Sequence, residues 1–91
     1  MSENIYIGSK PILNYVTAIA TALQRSSTGT VSVKARGRAI SSAVDVIEVT
    51  RNRFITDINI EDISIGTERV EGENGERNIS TIEITISRGS R

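Results

Sequence analysis

The sequence predicts an α/β domain of the order β-α-β-α-β-β, a two-layer sandwich with both helices on one face of a four-stranded mixed sheet. Apolar residues alternate in some stretches, as in half-buried strands, and recur at helical spacing in others. The dipeptide Asn74-Gly75, a strong hairpin signal, separates the last two β-rich stretches. Right-handed crossovers place both helices on the same sheet face. At 91 residues, one domain spanning 1–91 is expected.

The first half of the chain is expected to form two strands around one helix. Residues 4–7 alternate up to Gly8, which predicts a short strand. Pro11 is favoured at a first helical position, and apolar residues at helical spacing predict a helix over residues 11–25. Residues 30–36 alternate again and predict the second strand.

The second helix is predicted over residues 39–54, with an apolar stripe that includes Val44 and Phe54. Val46 and Val49 fall off that stripe at about 100° per residue. They are therefore expected to widen the apolar surface beyond what the sheet needs for its cover.

The last two strands are predicted over residues 57–70 and 79–86, joined by a long hairpin arm. The apolar alternation slips by one position between Ile60 and Ile63, and again after Ile79. One extra residue in each strand predicts a β-bulge in each. The sheet face away from the helices is expected to be open, with the polar side chains Ser32, Lys34, Thr81, Glu83 and Thr85 on it.

Composition excludes several classes of protein. The chain has no Cys and no His, so thiolate chemistry, the usual zinc sites and the usual general base are excluded, and no metal or cofactor is expected. Asp57, Glu61 and Asp62 remain as candidate Mg²⁺ ligands of an enzyme, although carboxylates at a strand start are more often solvated. No stretch approaches the roughly 20 apolar residues of a membrane span, and residues 1–4 lack the basic start of a signal peptide. We therefore expect a cytoplasmic protein without a membrane partner.

The charged residues are unevenly distributed along the chain. Eleven Lys and Arg balance eleven Asp and Glu. Residues 1–56 contain seven Lys or Arg against three Asp or Glu, whereas residues 57–91 contain four against eight. A neutral total can therefore conceal a polarised surface, and a polyanion responds to the local field.

The strongest candidate site is the segment KARGR at residues 34–38. Alternate side chains of a strand point the same way, so Lys34 and Arg36 are expected to share one face. Arg38 then lies at the start of the next helix. Three cations at a strand-to-helix junction suit a row of phosphates, while a solvated polar loop is the alternative.

Several segments of the chain together match the order and spacing of a known family: GSKPILNYV at residues 8–16, KARGRAIS at 34–41, AVD at 43–45, RNRF at 51–54 and STIEI at 80–84. In these segments the chain resembles the Alba family of archaeal chromatin proteins.

The resemblance implies a homodimer that binds double-stranded DNA, and also RNA, with little sequence preference. It also implies association with the chromosome, with the two hairpins extended along the duplex. The expected nucleic-acid-binding residues are Lys10, Asn14, Lys34, Arg36, Arg38, Arg77 and Arg88. Arg51, Arg53 and Phe54 are expected to form the contact between dimers that associate further on DNA.

Two departures from the family pattern have functional consequences. Members commonly have two lysines before the proline, and this pair is reversibly acetylated in some of them. Ser9 replaces the first lysine here, so we expect binding to be weaker by one contact. The hairpin tip, residues 71–77, contains three carboxylates and one Arg, where family arms are usually basic or mixed. Because carboxylates repel phosphate, we expect this arm to enter a minor groove less deeply.

Two alternatives stay open beside a duplex-DNA binder. The same fold with RNA as the main ligand would make the protein a ribonucleoprotein component or an RNA chaperone. A protein-assembly module without a nucleic-acid role is favoured by the neutral total charge and by Val46, Val49 and Phe54.

Overall fold

A computed structural model describes residues 3–89, so the ends of the predicted 1–91 domain, including Met1 and Ser2 of the chain start, lie outside the described residues. The elements follow in the predicted order: β1 (Glu3–Tyr6), α1 (Ile12–Arg25), β2 (Thr30–Arg36), α2 (Ala39–Val49), a π-helical turn (Thr50–Phe54), β3 (Ile58–Gly72) and β4 (Gly75–Arg88). One mixed sheet has the strand order β1-β2-β4-β3. β1 and β2 are parallel, and the other neighbours are antiparallel.

The hydrophobic core lies between the sheet and the two helices, on one side of the sheet. Val31 and Val33 of β2 are fully buried and stand opposite Ile86 and Ile84 of β4. Ile19 of α1 packs into the same core. Each fully buried aliphatic side chain of this size contributes about 1.5–3 kcal/mol relative to exposure, which accounts for the alternation of apolar residues where these two strands cover the core. The predicted fold class is confirmed.

Helix α2 buries a stripe that overlaps the predicted one at Ala43 and Ile47 and differs from it at Val44 and Val46. Ala43, Val46 and Ile47 are buried, and Thr50 continues the stripe, whereas Val44 is 44% exposed. Positions i, i+3, i+4 and i+7 share one helix face, and this set faces the sheet. The expectation that Val46 would widen the outer apolar surface is therefore wrong.

The α-helix also ends earlier than predicted, because its last turn is π-helical. The Ile55 N–H donates to the Thr50 carbonyl at 2.8 Å, a step of five residues instead of four. The buried Thr50 hydroxyl donates to the Val46 carbonyl at 2.7 Å. The wider turn rotates the residues that follow, and Phe54 is left 55% exposed.

One of the two predicted bulges is present. The pairing of β3 with β4 shifts between Ile60 and Asp62, so Glu61 is the extra residue and the β3 prediction is confirmed. The predicted bulge in β4 is wrong, because each β4 residue from Gly75 to Arg88 has a partner on β3 and the extra residue lies in β3 alone. Ile79 breaks the alternation because it lies beyond the end of β2, where the sheet has no core to face.

The hairpin arm consists of residues 67–80, the part of β3 and β4 beyond the last β2 pair, Arg36 with Thr81. Pairing continues to Gly72 and Gly75, so β4 begins four residues before the predicted start. The predicted hairpin is present, but the two residues of its turn are Glu73 and Asn74, and Gly75 follows them as the first residue of β4 with a φ of +103°. The arm contributes to the elongated shape of the molecule, which measures 48 × 25 × 18 Å.

Candidate nucleic-acid interface

The parallel pairing of β1 with β2 gathers the candidate cations at one edge of the sheet. The carboxyl ends of parallel strands lie together, and here the Ile7 N–H donates to the Lys34 carbonyl at 2.9 Å. Both helices begin at this edge, and the arm leaves from it. We call the set Lys10, Lys34, Arg36 and Arg38 the cation edge.

Tyr15 fixes the loop that carries Lys10. Its ring is buried on α1, and its hydroxyl oxygen accepts the Gly8 N–H at 2.9 Å and the Lys10 N–H at 3.0 Å. Because two backbone groups of the loop bind one buried side chain, the position of Lys10 is tied to helix α1. This role of Tyr15 was not predicted from the sequence, since no spacing rule connects a helical tyrosine with the loop before it.

Gly37 makes the sharp bend that separates Arg36 from Arg38. Its φ is +57°, in the left-handed region that favours glycine. Its N–H donates to the Ser80 carbonyl at 2.8 Å, which joins the bend to the base of the arm. Arg36 thus ends β2 on the open face, and Arg38 occupies the N-cap of α2, as the spacing predicted.

The starts of both helices favour anions. Neither α1 nor α2 has a side-chain cap or an acidic residue in its first turn. The free N–H groups and positive dipole end of a helix attract anions, and here Lys10 and Arg38 adjoin them. Asn14 is exposed on the first turn of α1, beside the same edge.

Two members of the cation edge are already paired with carboxylates. Arg36 Nη1 lies 2.7 Å from Glu68 Oε1, and Lys34 Nζ lies 4.0 Å from Glu83 Oε1 and 5.8 Å from the centre of the Tyr6 ring. The opposite charges of the two chain halves are therefore mixed in space, because β4 lies between β2 and β3. Sequence reasoning missed Glu68 and Glu83 as partners, since the strand order was not known.

The other nearby cations are less constrained. Within residues 3–89, Lys10, Arg38 and Arg77 form no ion pair. Arg36, Arg38 and Arg77 line one shallow depression at the base of the arm. The structure therefore places Arg77, on the arm, next to the cation edge.

Arg88 lies away from this cluster. It pairs with Asp57 at 3.1 Å, at the opposite end of β4 from the arm. Seven residues separate it from Thr81, the neighbour of Arg36, which corresponds to about 23 Å along a strand. The structure thus does not place Arg88 with the other predicted binding residues.

The segment expected to join dimers lies at the far end of α2. Arg51 pairs with Glu48 at 2.9 Å, and Arg53 and Phe54 are exposed on the π-helical turn. This surface is separated from the cation edge by the length of the helix.

Two of the three carboxylates considered as Mg²⁺ ligands, Asp57 and Glu61, have other partners. Asp57 pairs with Arg88, and Glu61 accepts a hydrogen bond from the Ser87 hydroxyl. Among the described residues, no three acidic side chains come together as metal ligands. None of the helices in that part of the chain is long and apolar enough to cross a bilayer.

The fold and the cation edge define a small α/β domain with a cationic strand-to-helix junction and a projecting hairpin. The sequence profile of the Alba family matches residues 3–67. The chain belongs to the Alba family.

Individual members of the family are similar to this chain in sequence and in structure. A "DNA/RNA-binding protein Alba" of Picrophilus torridus is 49% identical over 84 residues, which cover 92% of this chain and 93% of the relative. "DNA/RNA-binding protein Alba 1" of Archaeoglobus fulgidus is 48% identical over 89 residues, covering 97% and 99%. The solved structure of Alba from Thermoplasma volcanium superposes with a TM-score of 0.86 at 46% identity, covering 94% of this chain and all of that one.

Proposed function

We propose that this protein is a dimeric DNA- and RNA-binding protein that contacts the phosphates of duplexes with little sequence specificity and organises or compacts chromosomal DNA. The names of its relatives support nucleic-acid binding. The observation that carries the proposal is the cation edge, where four cations surround two uncapped helix starts. A cytoplasmic, chromosome-associated location follows from this function.

Phosphate contact accounts for low sequence specificity. Arg and Lys side chains at an open edge reach backbone oxygens, which are the same for every sequence. About four contacts per subunit give roughly eight in a dimer, and the logarithm of the affinity then falls against the logarithm of salt concentration with a slope near −7 at most. The carboxylates beside Lys34 and Arg36 reduce this slope.

An exposed apolar strip supports the proposed dimer. Ile60, Ile63 and Ile65 of β3 are 39%, 55% and 82% exposed. They stand opposite the core residues Ile86 and Ile84 and the partly buried Ile82. They lie on the helix side of an edge strand that the helices do not cover. A second copy of the chain on this strip would remove the apolar surface from water.

The aromatic residues favour duplexes over single strands. Tyr6 is exposed on the open sheet face, Tyr15 is buried, and Phe54 lies at the far end of α2. Single-strand readers stack successive bases on neighbouring aromatic rings, and these three rings are dispersed. Duplex RNA remains the second candidate ligand, because its phosphates offer the same charge.

Titrations over a series of salt concentrations, with duplex DNA and duplex RNA of one sequence, test the proposal. Arg36→Ala with Arg38→Ala should weaken binding about tenfold or more, equally for all sequences, and make the salt slope shallower. Arg25→Ala is the matched control, since Arg25 is exposed on the last turn of α1, away from the cation edge. Sedimentation should give the mass of a dimer.

Two results would contradict this function. If the double variant bound like wild type, the cation edge would not be the interface. If wild type gave a flat titration with both duplexes at low salt, the assembly-module alternative would be favoured instead.

A further inference from the structure

Two of the cations that we propose to bind phosphate are held by carboxylates of the same chain. Lys34, Arg36, Glu68 and Glu83 all line one cleft of about 600 Å³ on the open sheet face. The Arg36–Glu68 contact is the tighter of the two pairs, at 2.7 Å against 4.0 Å for Lys34–Glu83. A phosphate that approaches Arg36 therefore meets an anion already in place.

The Arg36–Glu68 pair spans three strands. Arg36 stands opposite Thr81 of β4, and Thr81 stands opposite Gly66 of β3. Gly66 has no side chain, and a Cβ there would lie 3.2 Å from Thr81 Oγ1. The Arg36 guanidinium thus extends across β4 to Glu68, which lies two residues beyond Gly66 along β3. Its side chain and that of Glu68 are 59% and 49% exposed, so an incoming phosphate has access to the pair.

We propose that Glu68, assisted by Glu83, is an intramolecular competitor of phosphate that lowers the affinity of the cation edge and flattens its salt dependence. This inference rests on the proposed function. A tethered carboxylate acts at a high effective concentration, so a phosphate must displace it or share the guanidinium with it. The released carboxylate then recruits a counter-cation, which offsets part of the counterion release from the nucleic acid.

The cations that form no ion pair within residues 3–89 have a different role in this scheme. Lys10, Arg38 and Arg77 are available to a duplex at once, whereas Arg36 and Lys34 must first exchange partners. A duplex captured by the first group presents further phosphates to the second. Binding then has two steps: rapid contact of the duplex with the first group, followed by a reversible exchange of ion-pair partners at Arg36 and Lys34.

Glu68→Gln tests the inference by removing the competing charge while keeping the shape of the side chain. The variant should bind a 20-base-pair duplex about two- to fivefold more tightly per subunit, with a steeper salt slope. Glu76→Gln is the matched control. It removes the same charge and breaks the 3.2 Å Arg69–Glu76 pair within the arm, and it leaves Arg36 untouched.

A double-mutant cycle separates local competition from a change in total charge. In an Arg36→Ala background, Glu68→Gln should give no more gain than Glu76→Gln gives. The inference is overturned if the gain persists without Arg36, if Glu76→Gln has an equal effect, or if Glu68→Gln weakens binding. Circular dichroism should show an unchanged fold, because Glu68 is exposed.

The same titrations distinguish this inference from the proposed function. If wild type did not bind at low salt and Glu68→Gln with Glu83→Gln did, the competition would stand, and the wild-type protein would not be a binder. If none of these proteins bound either duplex, both proposals would fall.

Discussion

Tyr15→Phe tests how the loop of the cation edge is held. The substitution removes the oxygen that accepts the Gly8 and Lys10 N–H groups at 2.9 and 3.0 Å and leaves the ring in place. A hydrogen bond of this kind contributes about 0.5–1.5 kcal/mol net, so two give about 2 kcal/mol. In a domain of this size, 1 kcal/mol corresponds to about 4–8 °C in Tm, so we expect a decrease of roughly 8–16 °C.

The measurements are thermal unfolding for Tm and urea unfolding for the free energy, both at fixed protein concentration, followed by duplex titration of the folded variant. Tyr6→Phe is the control. Tyr6 is 70% exposed, and its hydroxyl has no hydrogen bond within residues 3–89, so its removal should change stability by less than about 0.5 kcal/mol. The Tyr15 variant should also bind a duplex more weakly, because Lys10 is no longer positioned. Equal unfolding midpoints for wild type and Tyr15→Phe would refute the role assigned to the hydroxyl.

Two further substitutions have defined outcomes. Gly37→Ala should destabilise the fold by about 1–2 kcal/mol, because φ is +57° at this position. The added Cβ would have room at 3.5 Å from Ile79, so the cost would come from the backbone conformation alone. Urea unfolding measures this cost, and a value no larger than that of Gly8→Ala would argue against backbone strain. Phe54→Ser should change stability by less than about 1 kcal/mol, because the ring is 55% exposed. The same substitution should reduce cooperative binding along long DNA. Unchanged binding cooperativity would show that Phe54 is not part of the proposed contact between dimers.

The fold followed from the sequence where one periodicity dominated. Alternation in residues 30–36 placed Val31 and Val33 on the core side and Lys34 and Arg36 on the open side, as the structure has them. The slip between Ile60 and Ile63 predicted the bulge at Glu61 correctly. These features depend on local sequence alone, which explains why they could be predicted.

Features that depend on long-range contacts could not be predicted. The stripe of α2 has apolar residues at Val44 and Val46, and only the position of the sheet decides that Val46 is buried. The π-helical turn depends on the hydrogen bond that the Ile55 N–H donates to the Thr50 carbonyl, and no composition rule indicates that bond. The pairing of Arg36 with Glu68, 32 residues apart, required the strand order.

The hairpin arm has a consequence for how this domain can diversify. An isolated two-stranded hairpin is marginally stable in water, so residues 67–80 can open and close by local unfolding while the core stays intact. Amide hydrogens there should exchange with solvent faster than those of β2. Substitutions at Glu71 or Glu73, both exposed near the tip, should then change the charge of the arm at almost no cost in global stability. The arm is thus the part of the molecule in which the number and sign of charged side chains can vary between relatives with little loss of stability.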